Sequence, residues 1–286
     1  MSQIHAQSIT VDRASRPFDF PTAPENRTFH PLSHRVAVLL YGAVSYAIFF
    51  ATFCYAAGFV GNFLVPKSID SARTVPLAAA LLINCGLLGL FAVQHSVMAR
   101  PFFKRWLIRH IPEAAERSTY TLFSSFALLA LFAGWQPMGG VIWQIQSLPG
   151  RALVAGGFTF GWLLVLGSTF LINHFDLFGL RQVWLQFQNR RYTPLAFKTP
   201  GLYRHVRHPL YVGWFFAFWC TPTMTAAHFL FAVMTTGYIL VAIQLEERDL
   251  EAAHPEYADY KRRTPMLVPR LNVGAKPVRK EDRLAA

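Results

Sequence analysis

The chain has 286 residues, of which 53% are hydrophobic and 15% are charged. A soluble domain carries about 25% charged residues, so this composition excludes an ordinary globular enzyme, and its many Leu, Ile, Val and Phe residues exclude a largely disordered chain. The formal net charge is +12. Nucleic-acid binding would need basic residues interleaved with exposed aromatic residues, whereas the basic residues here follow the membrane pattern described below, so we expect no nucleic-acid partner.

Five stretches of the chain contain no Asp, Glu, Lys or Arg. They are Val36–Val60, Thr74–Val97, Ser118–Trp135, Ala152–Ile172 and Pro209–Leu245. A helix needs about 20 apolar residues to cross the hydrocarbon core of a bilayer, so the sequence predicts an all-α, polytopic helical bundle integral to a membrane. An outer-membrane barrel would instead show alternating segments of about ten residues.

The chain divides into four predicted regions. No apolar run begins before Val36, too late for a secretory signal peptide. We expect a mobile cytosolic tail over residues 1–35, membrane helices and loops over 36–198, a second membrane region with a helical hairpin over 199–270, and a basic tail over 271–286. The three cysteines lie in apolar stretches without Cys-x-x-Cys spacing, so we expect no metal site.

The last apolar stretch is 37 residues long and would measure about 55 Å as one helix, too long for a single crossing. Thr221-Pro222-Thr223 breaks it. The first arm, Pro209–Cys220, would be about 18 Å long, and is therefore a short tilted helix or a re-entrant one. The second arm, Met224–Leu245, is long enough to cross. The sequence thus predicts five full spans plus a short or re-entrant helix.

The distribution of Lys and Arg predicts how these spans are oriented. Alternate segments outside the apolar stretches hold 24 of the 27 Lys and Arg residues. Basic residues are enriched on the cytosolic side of membrane proteins, so we expect the N and C termini and the two long loops to be cytosolic. Residues 203–211 and 246–263, which flank the hairpin, then become neighbours at the cytosolic face.

Two polar clusters flank this hairpin. The first contains Tyr203, Arg204, His205, Arg207, His208 and Tyr211, and the second contains Glu246, Glu247, Arg248, Asp249, Tyr257, Tyr260 and Arg263. Carboxylates directly after a long apolar helix are not explained by membrane orientation, and tyrosine rings can hold a sulfonium or ammonium centre by cation–π attraction. The competing interpretation is that the clusters are interfacial anchors and surface ion pairs.

Polar residues also end two other apolar stretches. Gln94-His95-Ser96 ends the second stretch, and Asn173-His174-Phe175-Asp176 follows the fourth, with Arg181 shortly beyond. Polar residues at a membrane boundary are candidates for function, although a histidine at a helix end is often structural.

The pattern Arg-His-Pro-x-Tyr-x-Gly, an apolar hairpin, Glu-Glu-x-x-Leu and Tyr-x-x-Tyr-Lys-x-Arg-x-Pro resembles the isoprenylcysteine carboxyl methyltransferase superfamily. These are integral membrane enzymes that use S-adenosylmethionine, and the resemblance covers about residues 199–270. It implies a cofactor site lined by His208, Pro209, Tyr211, Glu246, Glu247, Tyr257 and Tyr260, with Tyr203 and His205 of the same cluster as further candidates. Arg263 matches a family arginine near the reaction centre.

Over residues 36–270 the chain resembles the nurim-like branch, and within it the bacterial methanethiol S-methyltransferases, which make dimethyl sulfide. The segments around His95 and Asn173 carry this part of the resemblance. It implies a multi-pass enzyme of the bacterial inner membrane that methylates a small volatile thiol, takes S-adenosylmethionine from the cytosol, and has membrane lipid around it. His95 and Asn173 are then candidate substrate contacts.

The implied reaction leaves several roles open. The nucleophile is a thiolate, so His174 oriented by Asp176 is one candidate base, while Arg181 or Arg263 can stabilise the thiolate instead. Other interpretations of the chain are methylation of a prenylcysteine carboxylate or a phospholipid amine, a non-enzymatic nurim-like membrane scaffold, and haem ligation by histidines within the membrane.

Overall fold

A computed structural model of the protein describes residues 30–72 and 75–270. The predicted basic tail and most of the predicted N-terminal tail lie outside these residues. The helices are α1 (Leu32–Gly61), α2 (Leu77–Ala99), α3 (Pro101–Leu107), α4 (Glu116–Gly134), α5 (Leu148–Ile172), α6 (His174–Leu177), α7 (Leu180–Phe187), α8 (Pro209–Trp219), α9 (Ala226–Ala253) and α10 (Tyr257–Arg263). Single 3-10 turns cover Glu113–Ala115 and Gly201–Arg204, and two short strands are β1 (Val141–Gln144) and β2 (Thr223–Thr225).

Four of the described helices, α1, α2, α5 and α9, are long and apolar enough to cross a membrane. Large apolar side chains such as Leu40, Leu82 and Leu163 are exposed on their outer surfaces, as lipid-facing positions require. The prediction of a helical, multi-pass membrane protein is therefore confirmed. α1 begins at Leu32, within the segment predicted to be a tail, because the helix continues past Arg35 and His34 toward the polar surface.

α4 is 19 residues long and packs against α1 and α2, but it is not among the four apolar helices. Glu116 and Arg117 stand at its start, which lowers its mean hydropathy. Its Ser and Thr residues lower it further, and they are buried inside the bundle. The polar face of α4 therefore points toward the interior of the protein rather than toward lipid.

The hairpin breaks where the sequence predicts. α8 ends at Trp219 and α9 begins at Ala226, because Pro222 cannot continue a helix. β2 pairs with β1 in an antiparallel ribbon, which the all-α prediction omitted. The ribbon supplies hydrogen-bond partners to the backbone between α8 and α9, which has no helical partners. For example, the amide of Ile145 donates to the carbonyl of Pro222 at 2.8 Å.

α8 has 11 residues and is about 16 Å long, too short to cross a bilayer. It packs closely along α5 through two glycines. A Cβ atom on Gly161 would lie 2.5 Å from the backbone nitrogen of Ala217, and one on Gly213 would lie 2.8 Å from the carbonyl oxygen of Gly161. Small residues at such crossings let membrane helices approach each other closely.

Substituting Gly161→Ala is expected to lower the melting temperature of the detergent-solubilised protein, because overpacking of this kind costs about 1–3 kcal/mol. Gly167→Ala on the same helix is the matched control, since a Cβ atom there meets nothing within 4 Å. Thermal unfolding monitored by fluorescence and size exclusion measures both. Equal melting temperatures for the two variants would contradict close packing of α5 on α8.

Candidate active site

The two ends of the hairpin are joined by one buried carboxylate, that of Glu247, which is 3% exposed. Its Oε1 accepts a hydrogen bond from Nε of Arg207 at 2.7 Å and lies 2.9 Å from Nε2 of His208. Its Oε2 lies 3.1 Å from Nζ of Lys261. A buried carboxylate needs such partners to offset its lost hydration. The predicted proximity of the clusters at the two ends is therefore confirmed.

Hydrogen bonds from Arg207 to backbone carbonyls reinforce this junction. The guanidinium of Arg207 also donates to the carbonyls of Lys261 and Thr264, at 3.0 and 2.6 Å. The amide of Arg207 donates to the carbonyl of Pro265 at 2.9 Å. Hydrogen bonds from Lys261 to Glu251 and Glu247 raise the pKa of Lys261, so its ammonium stays charged. α10 is thus held beside the start of α8.

Tyrosines surround the space above this junction. The hydroxyl of Tyr211 donates to Oε2 of Glu246 at 2.8 Å, and that of Tyr260 donates to the carbonyl of Tyr203 at 2.5 Å. The rings of Tyr257 and Tyr260 meet edge to face, with centroids 5.6 Å apart. Within the described chain, the hydroxyls of Tyr203 and Tyr257 are buried without a hydrogen-bond partner. Such groups are costly unless a ligand or water satisfies them.

Burial keeps these hydroxyls protonated. It raises the pKa of Tyr203 and of Tyr257, and it raises the pKa of Tyr260 to about 12. At neutral pH they therefore remain hydrogen-bond donors. Glu246, by contrast, is exposed and offers an anionic acceptor beside them.

A cavity of about 2990 Å³ begins at these tyrosines and continues into the bundle. Its mouth is polar. Its depth is apolar and reaches the far ends of α1 and α4, where it is lined by Val60, Leu88, Leu131, Phe132, Trp162 and Phe231. The cavity thus joins a polar binding site at one end of the bundle to an apolar chamber inside it.

His95 lies between the polar and apolar parts of the cavity. The hydroxyl of Tyr120 lies 2.8 Å from its Nε2, and Oγ of Ser124 lies 3.1 Å from its Nδ1. Beside it, Oγ of Ser96 lies 3.1 Å from the hydroxyl of Tyr238. The sequence analysis identified His95 and Ser96 but not the hydroxyls of Tyr120, Ser124 and Tyr238, because single Ser and Tyr residues inside apolar stretches look like ordinary helix positions. The spacing of four residues between Tyr120 and Ser124 places both side chains on one face of α4, and this was the sequence feature that could have identified them.

The structure does not pair His174 with Asp176, so this predicted pairing is wrong. His174 is 2% exposed, and its Nδ1 lies 2.7 Å from Oγ1 of Thr169 while its Nε2 lies 2.7 Å from the hydroxyl of Tyr46. Burial lowers the pKa of His174. The neutral ring therefore ties the end of α5 to α1.

Asp176 anchors a loop instead. Its Oδ1 accepts a hydrogen bond from Arg181 at 2.8 Å, and its Oδ2 accepts one from the hydroxyl of Tyr192 at 3.2 Å. Arg181 also donates to the carbonyl of Thr193 at 3.0 Å. Asn173, whose φ is 138°, caps α6 by accepting from the amide of Asp176. The loop 188–200, which lines the mouth of the cavity, is thus tied to α6 and α7.

The other end of this loop rests on the tyrosines. The ring of Phe197 meets the rings of His254, Tyr257 and Tyr260 at centroid distances of 5.4 to 5.7 Å. The loop therefore crosses the mouth of the cavity from α7 to α10, and we call it the strap.

Ten of the fifteen predicted site residues line the cavity: His95, Asn173, His174, Asp176, Tyr203, His208, Tyr211, Glu246, Tyr257 and Tyr260. Five others are not among its lining within the described chain: Arg181, Arg263, His205, Pro209 and Glu247.

These five residues lie outside the cavity lining for different reasons. Pro209 is the buried first residue of α8, and both carboxylate oxygens of Glu247 are used in the junction. His205 is exposed, and Arg263 borders a separate cavity of about 440 Å³ on the outer side of α10. The geometry therefore does not support contact between a thiolate and Arg181 or Arg263.

The fold and cavity define an integral membrane protein with an internal binding chamber that opens at one polar end. Residues 82–273 match the family model described as NnrU protein. The chain is 59% identical over 236 residues to the methanethiol S-methyltransferase of Crocosphaera subtropica, covering 82% of this chain and 92% of that one. It is 52% identical to the methanethiol S-methyltransferase of Mycobacterium tuberculosis, over 82% of this chain and 97% of that one.

A more distant relative is nurim of Xenopus laevis, which is 30% identical over 63% of this chain and 66% of nurim. No solved structure matches the chain significantly. The chain belongs to the NnrU family, in the group that contains these methanethiol S-methyltransferases.

Substituting Glu247→Gln is expected to destabilise the protein strongly, because removing one partner of a buried ion pair costs about 3–5 kcal/mol. Glu256→Gln is the matched control, since that side chain is 58% exposed. Denaturant unfolding in detergent micelles compares the two. A Glu247 variant as stable as the control would show that the junction does not hold the hairpin ends together.

Substituting Asp176→Asn is expected to loosen the strap, because Arg181 and Tyr192 lose their charged acceptor. Hydrogen exchange of the strap amides should then become faster. Asp259→Asn is the control, as Asp259 pairs with Arg262 on the exposed surface of α10. Unchanged exchange in the strap would contradict the anchoring role of Asp176.

Proposed function

We propose that the protein transfers the methyl group of S-adenosylmethionine to the sulfur of methanethiol, giving dimethyl sulfide and S-adenosylhomocysteine. One observation carries this proposal: a single cavity joins a tyrosine- and carboxylate-lined mouth to an apolar chamber. A polar, cationic methyl donor suits the mouth, and a small apolar thiol suits the chamber. The names of the relatives, at 46 to 59% identity, agree with this assignment.

The residues at the mouth fit the proposed methyl donor. The unpartnered hydroxyls of Tyr203 and Tyr257 can hydrogen-bond its polar groups, and the carboxylate of Glu246 can accept from a ribose diol or an ammonium group. The faces of Tyr211 and Tyr260 can stabilise a sulfonium by cation–π attraction. When bound, S-adenosylmethionine supplies an electrophilic methyl group.

The protein contributes placement and exclusion of water. The chamber takes up the thiol from the surrounding lipid, while the strap covers the mouth on the aqueous side. Holding the two reactants together provides a proximity effect, and a dry site strengthens the attraction between a developing thiolate and a cation. The contact between His208 and Glu247 fixes the position of α8 relative to α9 beneath the mouth.

We propose that the mouth faces the cytosol of a bacterial inner membrane. α4 is then a fifth crossing, because it runs from Glu116 at the mouth to Trp135, whose indole donates to the carbonyl of Ile69 at the far end. Its 19 residues span about 28 Å. The basic loops lie at the mouth, which supports cytosolic N and C termini under the positive-inside rule.

Purified protein in lipid nanodiscs should form dimethyl sulfide from S-adenosylmethionine and methanethiol, as measured by headspace gas chromatography. Tyr211→Phe is expected to raise the KM for S-adenosylmethionine several-fold, because Glu246 loses its hydrogen-bond donor. Glu256→Gln, outside the main cavity, should leave the KM unchanged. Absence of dimethyl sulfide, or methylation of a prenylcysteine or phospholipid acceptor instead, would overturn the proposal.

A further inference from the structure

The hydroxyl of Tyr120 and the ring of His95 form a hydrogen-bonded pair inside the cavity, on α4 and α2. The pair lies away from Glu247 and its partners. Phe91 stacks on the histidine ring with centroids 5.2 Å apart, which holds the ring in place. Both members of the pair line the cavity, so a ligand in the chamber can reach them.

The hydrogen bonds are consistent with one tautomer of His95. The hydroxyl of Tyr120 lies 2.8 Å from Nε2 of His95 and 3.1 Å from its Nδ1, and Oγ of Ser124 lies 3.1 Å from Nδ1. In the tautomer with its proton on Nδ1, Nδ1–H donates to Ser124 and the nearer nitrogen, Nε2, accepts from Tyr120. Tyr120 thereby uses its proton, while its oxygen keeps a lone pair. This arrangement can accept a proton at the tyrosine oxygen while passing the tyrosine's own proton to the histidine.

The pair faces few charged groups. Tyr238 approaches it from α9, with its ring centroid 6.5 Å from that of His95, and Tyr211 of α8 is a further titratable neighbour of Tyr120. Closer to the mouth, Arg100 is neutralised by Asp249 at 3.1 Å. Glu116 also interacts electrostatically with Tyr120. No unpaired carboxylate among the described residues contacts His95, so the imidazole is the available base at this depth.

The pair also lies at a suitable distance from the mouth. Tyr238 and Glu246 stand on the same helix, α9, and their separation of eight residues corresponds to about 12 Å along its axis. A ligand held by the carboxylate of Glu246 can extend over this distance toward His95. The methyl group of the donor and the proton acceptor of the thiol can therefore meet in one part of the cavity.

We propose that Tyr120 and His95 form the proton relay that deprotonates the thiol. The thiol proton moves to the oxygen of Tyr120 as the tyrosine's proton moves to Nε2 of His95. A lone pair of the thiol sulfur forms the bond to the methyl carbon, and the electron pair of the methyl–sulfonium bond remains on the donor sulfur. The products are a thioether, neutral S-adenosylhomocysteine and an imidazolium on His95.

The charge balance of this step suits a dry site. One positive charge is lost from the sulfonium as one appears on the imidazole, so the cavity holds a single positive charge throughout. A cationic side chain at this position would repel the sulfonium before reaction. A half-buried neutral histidine that gains its proton only as the sulfonium disappears avoids this cost.

The inference rests on the proposed function, and its test separates the two. His95→Gln and Tyr120→Phe are expected to lower kcat with methanethiol about 100-fold, the size of a typical general-base contribution. Raising the pH should progressively restore their activity, because the thiolate then forms in solution. With 4-nitrothiophenol, which is a thiolate at neutral pH, both variants should approach the wild-type rate.

Two measurements without turnover accompany this test. S-adenosylhomocysteine binding by calorimetry should match the wild type in both variants, and nitrogen-15 spectra of labelled histidine should show the Nε2 signal of His95 shifting in Tyr120→Phe. His110→Gln and Tyr55→Phe, whose side chains contact backbone carbonyls of Trp106 and Lys67, are matched controls and should behave as wild type.

Several outcomes would overturn the relay. They are wild-type kcat with methanethiol in both variants, equal losses with methanethiol and 4-nitrothiophenol, and a loss that does not recover at high pH. Failure of the wild-type protein to make dimethyl sulfide would instead overturn the proposed function itself.

Discussion

The buried carboxylate of Glu247 is the interaction on which the rest of the site depends. Its two oxygens are shared among Arg207, His208 and Lys261, which come from two different segments, the start of α8 and α10. A carboxylate taken out of water is costly unless every lone pair is used, so only one relative placement of α8, α9 and α10 satisfies it. That placement brings the tyrosines around Glu246 into a common wall. Glu247 thus positions the site without lining it.

A second constraint comes from the depth of the cavity. Its mouth is held by charges and hydroxyls, whereas its interior is shaped by aromatic and aliphatic side chains of α1, α2, α4, α5 and α9. The boundary between these two zones is occupied by His95 and Tyr120, which are polar, hydrogen-bonded and reachable from both sides. The division of the cavity corresponds to a division of labour between a polar methyl donor and an apolar acceptor. In the proposed reaction, the strap separates the reacting centre from water.

Much of this architecture could be predicted from the sequence, because membrane helices and their breaks depend on local composition. The break at Pro222 follows from the length of the last apolar stretch. The meeting of the two polar clusters at the ends of the hairpin follows from that break and from the distribution of basic residues. The pairing of His174 with Asp176 failed because nearness in sequence does not fix where side chains point: Asn173 turns the chain at a positive φ, and the histidine is directed toward Tyr46. The predicted contact of Arg263 with the reaction centre failed because Arg263 falls on the outer face of α10. Tyr120 was missed because its spacing from Ser124 places both hydroxyls on one face of α4 but does not indicate that His95 lies opposite them.

The most direct measurement of the closed hairpin is the sidedness of its two ends. Cysteines introduced at the exposed positions His205 and Asp259, in a protein whose three native cysteines are replaced, can be labelled with a membrane-impermeant thiol reagent. A hairpin closed by Glu247 at the cytosolic face predicts that both positions react in inside-out vesicles and neither reacts in intact spheroplasts. Labelling of one position from each side of the membrane would contradict it.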